Sequence, residues 1–104
     1  MPSLKYTIRD LVRMAKDIES CAGRLGMLEE GSRVVLEEGS LSGRSGYYLK
    51  THTKDSDTGR TYIEVPPFMP ETGEGFIGST KTEAGTAMEY MLGSLRAAAE
   101  GTTK

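Results

Sequence analysis

A two-layer α+β domain, with a three-stranded antiparallel sheet and two helices packed on one of its faces in the order α-β-β-β-α, is the fold this sequence predicts. Three observations predict it. Two segments, one near each end, repeat apolar residues at helical spacing. The stretch between them is rich in β-branched and aromatic residues, and glycine and turn residues interrupt it. The length of 104 residues suits one core and a single domain, 1–104, with a frayed tail at 101–104.

The first helix is predicted from Thr7 to about Leu25. Ile8, Leu11, Val12, Ala15, Ile18, Ala22 and Leu25 share one face, while Arg9, Arg13, Lys16, Asp17 and Glu19 occupy the other. Thr7 caps its first turn, Asp10 complements the positive end of the dipole, and Gly23 or Gly26 stops it. "SRVVLEE" then reads as a strand over Ser32–Glu38, and "GSLSGRSG" as a mobile loop. "YYLKTHT" (Tyr47–Thr53) and "RTYIEV" (Arg60–Val65) read as two strands of a hairpin turned by "KDSDTG". Three prolines in "PPFMPETGEG" exclude a central strand and suggest an extended, polyproline-like connection. Thr80 and Glu83 form a capping box for a last helix, with Ala84, Ala87, Met88, Met91, Leu92 and Leu95 facing inward and Gly101 at its end.

Composition excludes several classes. Hydrophobic residues make up 37% and charged residues 27%, an ordinary globular balance, and the formal net charge is −2. That balance disfavours a dedicated nucleic-acid binder, whose affinity comes largely from phosphate neutralisation. The single cysteine, Cys21, excludes a disulfide framework and reads as a small core residue, consistent with a cytoplasmic protein. No apolar run reaches the roughly 20 residues of a membrane span, and the start has no signal-peptide core. No catalytic residue, metal site or cofactor is expected. His52 is the only histidine and lacks a nucleophile or carboxylate at diagnostic spacing. Asp55–Gly59 lacks the closing glutamate of a calcium loop and reads as a turn. Glu29-Glu30 and Glu37-Glu38 read as solvated acidic edges.

"GEGFIGSTKTEAGTAMEYML" (73–92) concentrates the motif-like features. Gly73 and Gly78 have the spacing of a phosphate-binding loop, but Ser79 and Thr80 separate the second glycine from Lys81, so that motif fails. Gly75-Phe76-Ile77-Gly78 matches a GXXG clamp at two positions only; Phe76 and Ile77 read as a short edge strand or a core plug. Together with the α-β-β-β-α order, "GSTKTEAGTAMEYML" resembles the end of the double-stranded RNA-binding domain. The resemblance implies phosphate contacts at the start of the last helix. Of that family's lysine cluster only Lys81 is present; Glu83, Gly85 and Thr86 depart from it. The same ending is similar to small phage-encoded accessory proteins, some anti-CRISPR proteins among them, which implies a short acidic protein that occludes a partner's surface.

With Leu49, Thr51, Ile63 and Val65 facing the core, alternation sends Tyr48, Lys50, His52, Arg60 and Tyr62 outward together. This basic face interleaved with tyrosines, with Phe68 and Met69 in the proline-rich loop, is the expected contact surface for a protein partner. The leading expectation is therefore a non-catalytic binding protein, of the kind that inhibits a nucleic-acid-handling defence complex in a phage's host. The alternative is a nucleic-acid-binding module using Thr80, Lys81, Thr82 and Lys50. A homodimer is compatible with either, and no membrane partner is expected.

Overall fold

In the computed structural model, which describes residues 6–41, 43–69 and 73–101, two helices lie on one face of a four-stranded antiparallel sheet. The first helix, α1, spans Ile8–Arg24. Thr7 and Asp10 cap it reciprocally, the Thr7 N–H donating to Asp10 Oδ2 at 3.0 Å and the Asp10 N–H to Thr7 Oγ1 at 3.1 Å. Gly26 ends it at φ +72°, with Met27 N–H bonded to the Ala22 carbonyl and Gly26 N–H to that of Gly23. This is the paired closure that a left-handed residue after the last turn permits. Leu11, Met14, Ala15, Ile18, Cys21 and Ala22 are buried. Cys21 is the small core residue expected, but the stripe is rotated from the expected one, because Met14 turns inward while Ile8 and Val12 are 42% and 40% exposed.

Strands β1 (Ser32–Leu41) and β2 (Arg44–Lys54) form one long hairpin, from Ser32↔Thr53 to Leu41↔Arg44. The glycine-rich segment expected as a mobile loop is therefore mostly strand. The hairpin bends between Tyr48 and its tip, a stretch that holds the pair Gly39↔Gly46. In a straight strand Tyr48 and Arg44 would lie roughly 13 Å apart, beyond a tyrosine's reach. Here the Tyr48 hydroxyl accepts the Leu41 N–H at 3.1 Å and reaches the carbonyls of Leu41 and Arg44. The missing side chain of Gly46 lets the Gly78 backbone close in on the hairpin, since a Cβ there would stand 2.3 Å from the Gly78 carbonyl oxygen.

β2 is central. β1 covers one flank, while β3 (Thr61–Glu64) and β4 (Phe76–Gly78) share the other. β3 pairs with Thr51–Lys54, and β4 with Tyr47 and Tyr48 across a register shift. Phe76–Gly78 is thus a fourth strand, and it also supplies a core plug, since Ile77 is buried. Pro66 is fully buried, and its carbonyl accepts the Met69 N–H at 3.0 Å, so the chain turns there instead of running extended. The last helix, α2 (Lys81–Gly101), starts at Thr80, whose hydroxyl accepts the Glu83 N–H at 3.1 Å and lies 3.4 Å from the Glu83 carboxylate. Leu11, Met14 and Ile18 of α1, Val34, Tyr47, Leu49 and Ile77 of the sheet, and Ala84, Met88, Leu92 and Leu95 of α2 form one core. The expected tail beyond Gly101 lies outside the described residues.

Candidate interaction face

The sheet has two unequal faces. Along β2, Tyr47, Leu49 and Thr51 turn toward the helices and are buried, so alternation turns Tyr48, Lys50, His52 and Lys54 to the face that no helix covers. Their partners on β1, Arg33, Val35 and Glu37, share that face. Ile63 joins it from β3, opposite His52, and Phe76 from β4, opposite Tyr48.

Several expected contact residues have other roles in this arrangement. Tyr48 lies on the predicted face but is 1% exposed, beneath the bent hairpin tip and edge-on to Phe76 at 5.2 Å between ring centroids. It clamps the tip and offers no accessible anchor. Lys50 Nζ donates to the Glu74 carbonyl at 2.6 Å and stands 5.8 Å from the Tyr48 ring centroid. It holds a segment in which Glu74 takes φ +55° and Gly75 φ +84°. There the Gly75 carbonyl also accepts the Leu49 N–H at 2.8 Å. His52 Nε2 meets Glu37 Oε2 at 2.7 Å. These contacts hold each group in a defined place on the face.

Tyr62 is a correction. It pairs with Thr53 and lies on the helix side, 47% exposed, in a shallow polar cleft with Met27, Ser32, Thr51 and Glu64. Ile63, expected in the core, is outward and 58% exposed. The cause is register. Turn residues 55–60 join Lys54 to Thr61, which is one residue away from the pairing that would set Ile63 beside Thr51, and a slip of one exchanges the faces. In that turn Asp55 N–H donates to the Arg60 carbonyl, Gly59 N–H to that of Asp55, and Asp57 N–H to Asp55 Oδ1. Arg60 sits exposed in the turn and not on a strand.

Phe68 and Met69 pack half-buried against the core. Phe68 lines a small cleft of about 180 Å³ on the outside of α2 with Tyr90, Met91, Ser94 and Leu95. Thr80, Lys81 and Thr82 are exposed at the start of α2; Thr80 is engaged as the cap, and the Thr82 carbonyl accepts the Thr86 hydroxyl at 2.8 Å.

Sequence reasoning missed Arg33, Arg44, Ile63 and Tyr90. Arg44 lies 5.1 Å over the Phe76 ring, and alternation continued back from Tyr48 through Gly46 would have reached it. Tyr90, 80% exposed on α2, lies off the inward stripe of Met88, Met91 and Leu92, and that spacing would have marked it as exposed. The open face therefore carries Arg33, Arg44, Lys50 and Lys54, the His52–Glu37 pair, and the apolar surface of Val35, Ile63 and Phe76. Among the described residues no group of carboxylate, histidine or cysteine side chains is arranged to hold a metal ion. No helix among them is long and apolar enough to cross a membrane.

The fold and this face define a class: a small α+β domain with one sheet face under two helices and the other left open. Compared with models of protein families, with curated proteins and with solved structures, the chain matches none.

Proposed function

We propose that the protein is a non-catalytic binding protein that engages an acidic protein surface through the open face of its sheet. The observation that carries this reading is the composition of that face. Arg33, Arg44, Lys50 and Lys54 gather there, with the Glu37 carboxylate held by His52, in a chain of net charge −2, and Ile63 is exposed at the β3 side of the face. Long-range attraction brings such a partner in, and desolvation of an exposed apolar side chain holds it.

A protein suits the face better than a nucleic acid does. The aromatic residues that would stack on bases are committed, Tyr48 to the hairpin tip and Phe76 to Tyr48 and Arg44. At the start of α2, Lys81 stands two residues from Glu83. The role of occluding a nucleic-acid-handling complex rests on the sequence resemblance alone.

The test is affinity capture from nuclease-treated extract with the wild type and with Ile63→Asp, followed by titration of the purified captured protein. Ile63→Asp is expected to weaken binding by roughly 2 kcal/mol, as loss of an apolar anchor does. Partners that vanish on nuclease treatment would sink the protein-partner reading. An affinity insensitive to Ile63→Asp but lost on Phe68→Ala or Tyr90→Ala would move the site to the cleft on α2.

A further inference from the structure

β1 is the outermost strand, and no strand among the described residues pairs with its free edge over its 10 residues. Among the described residues, two groups of the chain itself reach that edge. The Glu29 carbonyl accepts the Ser32 N–H at 3.0 Å, and Glu19 Oε1 accepts the Val34 N–H at 2.7 Å. Ladder groups alternate along a strand, so Leu36, Glu38 and Ser40 turn their N–H and C=O groups outward with Val34. A groove of about 490 Å³ runs between α1 and this edge, with Val12, Ala15, Lys16 and Glu19 on one side and Val34, Val35 and Leu36 on the other. Val12 and Ile8, the two apolar residues that α1 leaves out of the core, lie on α1 one turn apart, and Val12 lines this groove.

We propose that a second copy of this chain covers the edge, β1 pairing antiparallel with its own copy about a two-fold axis at Val35. Complementarity selects both occupant and register. An axis at Leu36 would set Val34 against Glu38 of the copy, and Val35 against Glu37. An axis at Val34 would set Arg33 against Val35 of the copy and leave Glu37 opposite Gly31, outside the strand. With the axis at Val35, Arg33 faces Glu37 of the copy on the open side, twice by symmetry. Val35 then meets itself, and on the helix side Val34 meets Leu36. Leu36 of the copy enters the groove beside Val12, and the Val34 N–H exchanges the Glu19 carboxylate for the Leu36 carbonyl of the copy. The contact is self-complementary, as a two-fold interface must be. It also removes the open edge that an unprotected outer strand leaves for indiscriminate pairing.

Sedimentation of the full chain over a concentration series tests this. The wild type is expected to dimerise. Arg33→Glu and Glu37→Arg are each expected to weaken the dimer on the order of tenfold, by turning two attractions into repulsions. The double variant Arg33→Glu/Glu37→Arg is expected to recover it. Because Glu37 also holds His52, a second measurement avoids that residue: Val35→Cys should form an intermolecular disulfide on mild oxidation. Residues opposed at such an axis bring their Cβ atoms within bonding range. A chain that stays monomeric at every concentration overturns the proposal. So does a dimer indifferent to both charge reversals, or one in which Val35→Cys does not cross-link.

Discussion

Removing one oxygen atom tests the bent hairpin. In Tyr48→Phe the ring keeps its place beneath the tip and against Phe76, so no cavity forms and only the hydroxyl's bonds are lost. The Leu41 N–H loses its acceptor, and the carbonyls of Leu41 and Arg44 lose a donor that can serve one of them at a time. One bond accepted and one donated, each worth about 1 kcal/mol net at a site that water can partly reach, give an expected loss of about 1–2 kcal/mol. Tyr48→Ala should cost about 3–5 kcal/mol, because it also empties the space under the tip. Urea unfolding measures the global change, and amide hydrogen exchange locates it. The Leu41 amide should exchange roughly tenfold faster in Tyr48→Phe while amides of α1 change little, since 1.4 kcal/mol is a factor of ten in a local opening equilibrium. If Tyr48→Phe left both the midpoint and the Leu41 amide unchanged, the hydroxyl would not be holding the tip. The bend would then have to be attributed to the glycine pair alone.

Further outcomes follow from the same physical reading. Gly85 sits within α2 where a Cβ would stand 2.3 Å from the Tyr6 ring. Gly85→Ala should therefore destabilise the wild type yet stabilise a Tyr6→Ala background by about 1 kcal/mol, the helix preference of alanine over glycine; a double-mutant cycle shows whether the sign reverses. Burial first, and the nearby Glu89 carboxylate second, push the Tyr6 hydroxyl above the ordinary phenol range. A folded-state value raised in this way contributes stability that is complete below the unfolded value and lost as pH rises through the folded one. An alkaline titration followed by phenolate absorbance should therefore find Tyr6 ionising late in the wild type and earlier in Gly85→Ala. Asp10 is shifted the other way, held below the usual carboxylate range by the Thr7 backbone and hydroxyl bonds and then by Arg13 and Arg9. Its contribution is present above the unfolded value and lost as pH falls through the lower folded one. Asp10→Asn should accordingly be less stable than the wild type near neutrality and converge with it in acid, once pH has fallen through the lowered folded value, as thermal melts across pH would record.

The local elements were legible because their causes are local. Thr7 and Asp10, Gly26, and Thr80 with Glu83 announce helix ends through bonds that span four or five residues. Apolar spacing placed Leu11, Ile18, Met88 and Leu92 in one core, while Phe76 and Ile77 read as an edge strand or a core plug and Ile77 is buried in a strand. Three strands and two helices in their order needed no more than that. The candidate site was legible in part. Lys50 and His52 lie on the open face as alternation along one strand requires, because period two is a property of the backbone.

What alternation along one strand could not supply was its phase relative to the next. The stretch between two strands can close as a turn of odd or even length, which sets opposite parities, and the pairing of Lys54 with Thr61 across six residues exchanged Tyr62 for Ile63 on the open face. The fate of Tyr48 needed still more distant information. Its burial depends on a bend in the stretch that holds two glycines, on Gly78 approaching Gly46 from across the sheet, and on Phe76 arriving from a strand 28 positions further along the chain. By itself, then, the sequence determined which segments are helix or strand and which apolar residues seek an interior. Those preferences are set by a residue and its near neighbours. Only the tertiary structure decided which face each outward residue joins, whether a tyrosine there is an anchor or a clamp, and which strand is left with an open edge. Each of those depends on register and on contacts between segments far apart in the chain.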